Sequence, residues 1–180
     1  MPPERDIRRA RLRFAAVFAA VGGGLLTLYS FPYAEHGLRE DWFAGYLAFY
    51  ARLAGLVLRI FDSGVRVVGN DIVGRTSLTV AKNCDAMDVS LLFAAAIVAF
   101  PARWSRRLVG IAAGVAALTV INVLRIASLY FIDLHWPSAF EAIHAEVWPL
   151  AIVILAATAF LVWSRWAQAP APSPTPADAR

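Results

Sequence analysis

Three side chains in this sequence could together perform acyl transfer, and each lies beside or inside an apolar block. Cys84, the only cysteine, stands in "TVAKNCDAMD" at residues 79–88, directly before one such block. Arg125 lies inside another, in "NVLRIASLY", and His144 precedes a third, in "HAEVWP". A thiolate is the reactive form of cysteine, and the free N–H groups of a helix start favour negative charge. Cys84 is expected to begin such a helix. Asp85 and Asp88 oppose a second negative charge beside them, or simply serve the helix start themselves. A cation, Arg125 or a protonated His144, would tip the balance toward the thiolate. Histidine takes and returns a proton near neutral pH. A guanidinium holds a carboxylate or steadies an oxyanion.

Each residue also has a plainer reading. Cys84 could be a small buried hydrophobe. Arg125 could snorkel to the headgroups or pair with Asp85 or Asp133. An arginine within a span nevertheless costs about 2.5–3.5 kcal/mol on insertion scales, which marks it as a functional candidate. Asn122 lies one turn before it on the same helical face and is expected to support it. His144 could be a surface histidine. His135 stands beside Trp136-Pro137, where a turn or interfacial role fits better, and His36 lies far from the other polar groups.

The elements that must position these groups are those of a membrane protein. The chain has 180 residues, 59% of them hydrophobic, with mean hydropathy +0.59. One cysteine excludes an internal disulfide and any paired-cysteine redox or zinc motif. The net charge of +4 reflects arginines clustered beside apolar blocks, so it speaks for membrane orientation and against nucleic acid as a partner. No cofactor or metal is expected.

The hydropathy pattern predicts an all-α integral membrane protein with about four full spans, at roughly 14–31, 85–100, 108–131 and 146–163. Residues 1–13 form a basic cytoplasmic start, read with the first span as a retained anchor. Residues 40–61 carry Arg52 and Arg59 on one face and predict an interfacial or re-entrant helix. Residues 62–83, rich in Val, Ile and Thr with turn residues, predict a small extracytoplasmic strand-rich segment. Residues 14–166 then form a single membrane domain, and 167–180 a disordered tail.

Four spans put all three basic segments in the cytoplasm: the N-terminus, the loop at 102–107 and Ser164-Arg165. Cys84 then lies at the outer start of the second span. Arg125 lies roughly 24 Å up the third at 1.5 Å per residue, and His144 at the outer start of the fourth. Three residues distant in sequence arrive at one membrane face.

The order of a Cys after a strand region, then Asn-x-x-Arg within a span, then a His before the last span resembles the exosortase/archaeosortase family. The resemblance rests on "NCDAMDVSLLFAAAIVAFP", "NVLRIASLY" and "HAEVWP", covers roughly residues 62–166, and is most like the exosortase H branch. It implies a membrane cysteine transpeptidase acting on exported proteins that carry a C-terminal sorting signal: a short motif, a transmembrane helix and a basic tail. Cys84 would be the nucleophile, Arg125 the stabilising cation and His144 the general acid and base. The site would face the periplasmic side of the inner membrane, with water, a lipid amine or a glycan as acceptor. The family commonly has Gly two residues after the Cys, where this chain has Ala86. The alternatives are a non-catalytic adaptor that binds a partner transmembrane helix through Arg125, and, with less support, a small transporter subunit.

Overall fold

The computed structural model describes residues 4–31, 41–84 and 86–169. Asp85, His36 and the tail beyond 169 lie outside the described residues, so the expectations placed on them stay there. The helices are α1 (Glu4–Ser30), α2 (Asp41–Leu58), α3 (Met87–Ala99), α4 (Trp104–His135), the single turn α5 (Phe140–Ala142) and α6 (Trp148–Gln168). Three short strands, β1 (Arg66–Val68), β2 (Asp71–Val73) and β3 (Ser77–Thr79), lie between α2 and α3.

Three helical stretches are long and apolar enough to cross a membrane: α1, α4, and the helical run Pro137–Gln168 that ends in α6. The expected span at 85–100 differs. It forms α3, which has 13 residues and rises only about 20 Å at 1.5 Å per residue, short of a ~30 Å hydrocarbon core. A left-handed residue, Ala86, delays its start, and extended backbone at Phe100 before Pro101 ends it. The segment expected as an interfacial or re-entrant helix at 40–61 forms α2, whose apolar part, Phe43–Leu58, is also shorter than a span. Helix α1 runs from Glu4 onward, so the basic start is helical from there and continuous with the apolar stretch.

Contacts align the helices. Phe14 of α1 packs against Phe160 of α6 with ring centroids 6.4 Å apart. Arg106 at the start of α4 donates from Nη1 to the carbonyl of Ala167, at the end of α6, at 2.7 Å. At the opposite end, Lys82 Nζ donates to the Tyr29 carbonyl at 3.2 Å and covers the Tyr29 ring. The basic stretches of α1, α4 and α6 therefore share one end of the bundle, and Cys84 lies toward the other. Gly114 lets α3 approach α4, since a Cβ there would collide with the Phe93 ring.

The strands form an antiparallel meander in the order β1-β2-β3. Val67, Ile72 and Leu78 are in register across it and form its apolar row. Ile72 is fully buried, in one cluster with Ala54 and Leu58 of α2 and Ile126 and Tyr130 of α4. Gly55 of α2 makes room for Val67. With 32 residues α4 is about 48 Å long, well beyond a hydrocarbon core, and its far end secures the sheet. The hydroxyl of fully buried Tyr130 accepts from Arg75 N at 2.9 Å and donates to Asp62 Oδ2 at 3.4 Å, and the Thr76 hydroxyl donates to Asp133.

Tyr130→Phe leaves the Arg75 amide without that acceptor and should cost about 1–3 kcal/mol. Thermal unfolding in detergent should show a lower midpoint, and hydrogen exchange should quicken at 62–80 before it does in α3. An unchanged midpoint together with unchanged exchange would contradict this account of how the sheet is held.

Candidate active site

Cys84 and His144 meet. The Cys84 Sγ lies 3.3 Å from His144 Nε2, across 60 residues of sequence. Cys84 is buried at 8% exposure, and His144 is half-buried. The ring of His144 stacks on Phe140, with centroids 5.6 Å apart and planes 28° from parallel. Phe140 and His144 are four residues apart, one turn along the chain, so the stack is set locally.

The local structure behind each partner has a sequence cause. Lys82–Cys84 form a 3-10 turn in which Cys84 N donates to the Ala81 carbonyl at 2.8 Å. Helix α3 starts only at Met87, so Cys84 does not begin it, contrary to expectation. The interruption is Ala86, at φ 51 and ψ 23, the one non-glycine with positive φ among the described residues. That conformation costs an L-residue roughly 1–2 kcal/mol and is easiest for glycine. The glycine implied by the family resemblance at this position thus has a backbone reason, and Ala86 adopts the same turn at a cost. On the other side, His144 lies in a π-helical turn, Ile143–Val147, closed by the Trp148 N–H reaching back five residues to Ile143. Pro149 follows. It has no N–H to donate to the carbonyl of Ala145, and its ring crowds that carbonyl, which favours the wider turn.

Asn122 ties the thiol's backbone to the long helix. It is fully buried, and its Nδ2 donates to the Cys84 carbonyl at 2.8 Å. Its Oδ1 has no partner among the described residues. Asn122, expected as a support for Arg125, thus bonds directly to the backbone of Cys84.

Two cavities adjoin the Cys84–Ala86 turn. One, of about 340 Å³, is lined by Ser77, Leu78 and Thr79 of β3 and by Cys84, Asp133 and His144, among others. The other, of about 410 Å³, is lined by Arg125, Lys82, Ala86 and Asp88, with Tyr29 of α1 and Pro149 of α6. Arg125 is buried at 4% exposure. The fold thus brings Cys84 and His144 into one cavity and places Arg125 and Asp88 in its neighbour. Asp88 is exposed in the first turn of α3, where its Oδ1 accepts from Val89 N at 2.8 Å, a position the helix dipole favours. His135 takes no part: its Nδ1 hydrogen-bonds the Phe131 carbonyl at 2.9 Å.

Asp133 was not anticipated as a site residue. It falls at i+4 from Leu129 and i+8 from Arg125, so extending the Asn122–Arg125 face along the helix would have found it. Among the described residues no group of three or more His, Cys, Asp and Glu is placed to hold a metal ion.

Comparison with known proteins places the chain. It belongs to the transmembrane exosortase family: the family model described as transmembrane exosortase (Exosortase_EpsH) matches residues 14–148. That stretch contains Cys84, Arg125 and His144 and stops as α6 begins. Neither a curated protein nor a solved structure matches the chain.

Asn122→Ala removes the donor to the Cys84 carbonyl inside a buried region and should destabilise the protein by about 1–3 kcal/mol. The released turn should expose the thiol, so a maleimide should label Cys84 faster than in the wild type under folded conditions. Equal labelling rates would show that the Asn122 bond does not hold the turn.

Proposed function

We propose that this membrane protein is a cysteine transpeptidase or protease. Its substrates would be exported proteins anchored by a C-terminal sorting signal, cleaved at the outer face of the cytoplasmic membrane. The observation that carries this reading is the 3.3 Å contact between Cys84 Sγ and His144 Nε2 at the end of the bundle away from the basic stretches. A buried thiol within hydrogen-bond reach of an imidazole is the arrangement of a nucleophile and its base. Among the described residues no carboxylate hydrogen-bonds the other side of His144, so the pair works as a dyad.

The steps follow from the groups in place. Proton transfer from Cys84 to His144 gives a thiolate and an imidazolium. The thiolate attacks the scissile carbonyl and forms a C–S bond. Collapse breaks the C–N bond, and the imidazolium protonates the departing amine. The thioester is then resolved by a nucleophile that loses its proton to His144, which restores the pair.

Arg125, from the adjoining cavity, is proposed to stabilise the carbonyl oxygen or anchor the substrate from the side opposite His144. β3 is an edge strand of the meander and lines the Cys84 cavity. Its free edge suits an extended sorting motif, which would pair with it through main-chain hydrogen bonds.

The test is a processing assay in membranes, with a tagged reporter that ends in a sorting motif, a transmembrane helix and a basic tail. Wild-type protein should remove the tail. Cys84→Ala should abolish cleavage, and His144→Gln should lower its rate by about 10²–10⁴. Arg125→Lys should also impair it, since an ammonium does not reproduce the guanidinium fork. A reporter left uncut across several motifs would overturn the peptidase reading. Equal co-purification of an uncut reporter with the wild type and Cys84→Ala would point instead to an adaptor.

A further inference from the structure

The cavity that holds the Cys84–His144 pair also holds Asp133, and it contains no lysine or arginine among its described lining residues. Asp133 is half-buried, and one of its carboxylate oxygens, Oδ2, accepts from the Thr76 hydroxyl. That bond ties α4 to the turn between β2 and β3. The carboxylate's charge would be felt strongly in the cavity, because a partly enclosed space screens it less than open water does.

We propose that Asp133 is the residue that selects the acyl acceptor, and that it selects a cationic amine over an uncharged nucleophile. The inference rests on the transpeptidase reading and deepens it. In the first step the departing amine takes its proton from His144, so it leaves on the His144 side of the thioester. An amine released there becomes an ammonium at neutral pH, next to a carboxylate. The incoming acceptor must occupy the same place, since it gives its proton to the same imidazole. Asp133 therefore faces both the leaving ammonium and the arriving one. The acceptor binds as R–NH3+ and sheds one proton to solvent. The resulting amine forms a C–N bond with the thioester carbonyl while the C–S bond breaks. Its second proton passes to His144, which leaves the thiolate and imidazolium for the next cycle. Arg125 and Lys82 line the other cavity, so the cations that would repel such an acceptor are kept out of this one.

Competition between small nucleophiles tests this in the reporter assay. Methylamine is cationic at neutral pH, and hydroxylamine is uncharged. Both divert the thioester from hydrolysis, to a methylamide and a hydroxamate that mass spectrometry separates. The half-saturating concentration of methylamine should rise about tenfold in Asp133→Asn, as expected for loss of one charge partner in a partly screened site. That of hydroxylamine should stay within about twofold. Asparagine keeps an oxygen for the Thr76 hydroxyl, so the variant changes charge with little change of shape. Thr76→Val removes the hydrogen bond and keeps the carboxylate, and it should leave the preference for methylamine in place.

Equal shifts for both nucleophiles in Asp133→Asn would overturn the assignment, as would a Thr76→Val variant that reproduces the Asp133→Asn pattern, because both outcomes mark a structural role. Cleavage that depends on Cys84 but shows no saturable diversion by methylamine would overturn the acceptor inference alone. Absence of any Cys84-dependent cleavage would overturn the underlying reading and this one with it.

Discussion

The bond from the Asn122 side chain to the Cys84 carbonyl joins the two halves of this molecule. On one side of it lies the apolar cluster that contains Cys84, built from α2, α4 and the strands. On the other lies the cluster that contains Ala86, built from α3, α4 and α6. Cys84 ends a 3-10 turn, and Ala86 is left-handed. Neither conformation makes a regular ladder of its own. A buried carbonyl in such a turn needs a donor, and Asn122 supplies one from a rigid helix. A buried amide is costly unless it is bonded, and the one bond this amide makes among the described residues goes to this carbonyl.

From that anchor the rest of the site follows by helix geometry. Asn122, Arg125, Leu129 and Asp133 rise along one face of α4 at spacings of three, four and four residues. The first holds the Cys84 backbone, the second lines one cavity, and the last two line the other. His144 reaches the thiol from a separate segment, through a turn widened next to Pro149. The two sides of the Cys84–His144 contact are thus built differently. The thiol is set by a buried hydrogen bond, and the imidazole by a π-helical turn and a stacked phenyl ring.

What the sequence made legible was residue chemistry and coarse pattern. The lone cysteine, the arginine within an apolar helix and the histidine before the last one were readable because each is costly or reactive in its setting. Helix lengths were less readable, because hydropathy marks where residues prefer apolar surroundings and not where a helix starts. Residues 85–100 are apolar enough to suggest a span, yet Ala86 and Pro101 bound a 13-residue helix between them. The partners of polar groups were not readable at all. Asn122 shares a helical face with Arg125, which suggested a companion role, but its bond to the Cys84 carbonyl depends on a turn 38 residues away. Asp133 resembled a possible ion-pair partner for Arg125, and its bond to Thr76 depends on a meander that brings residue 76 over residue 133.

The length of α4 carries a consequence for how this architecture can vary. Its cavity walls, its bond to the Cys84 carbonyl and its hold on the sheet are all spaced along one uninterrupted helix. One residue inserted between Asn122 and Asp133 would rotate everything beyond it by about 100° and separate the anchor from the walls. Chain length is therefore locked in that interval. At the β1–β2 turn Gly69 faces open space, but Asn70 beside it is bonded to Val80 through both its side chain and its carbonyl. The site thus depends on the spacing of eleven residues from Asn122 to Asp133 as much as on the kinds of residue that stand there.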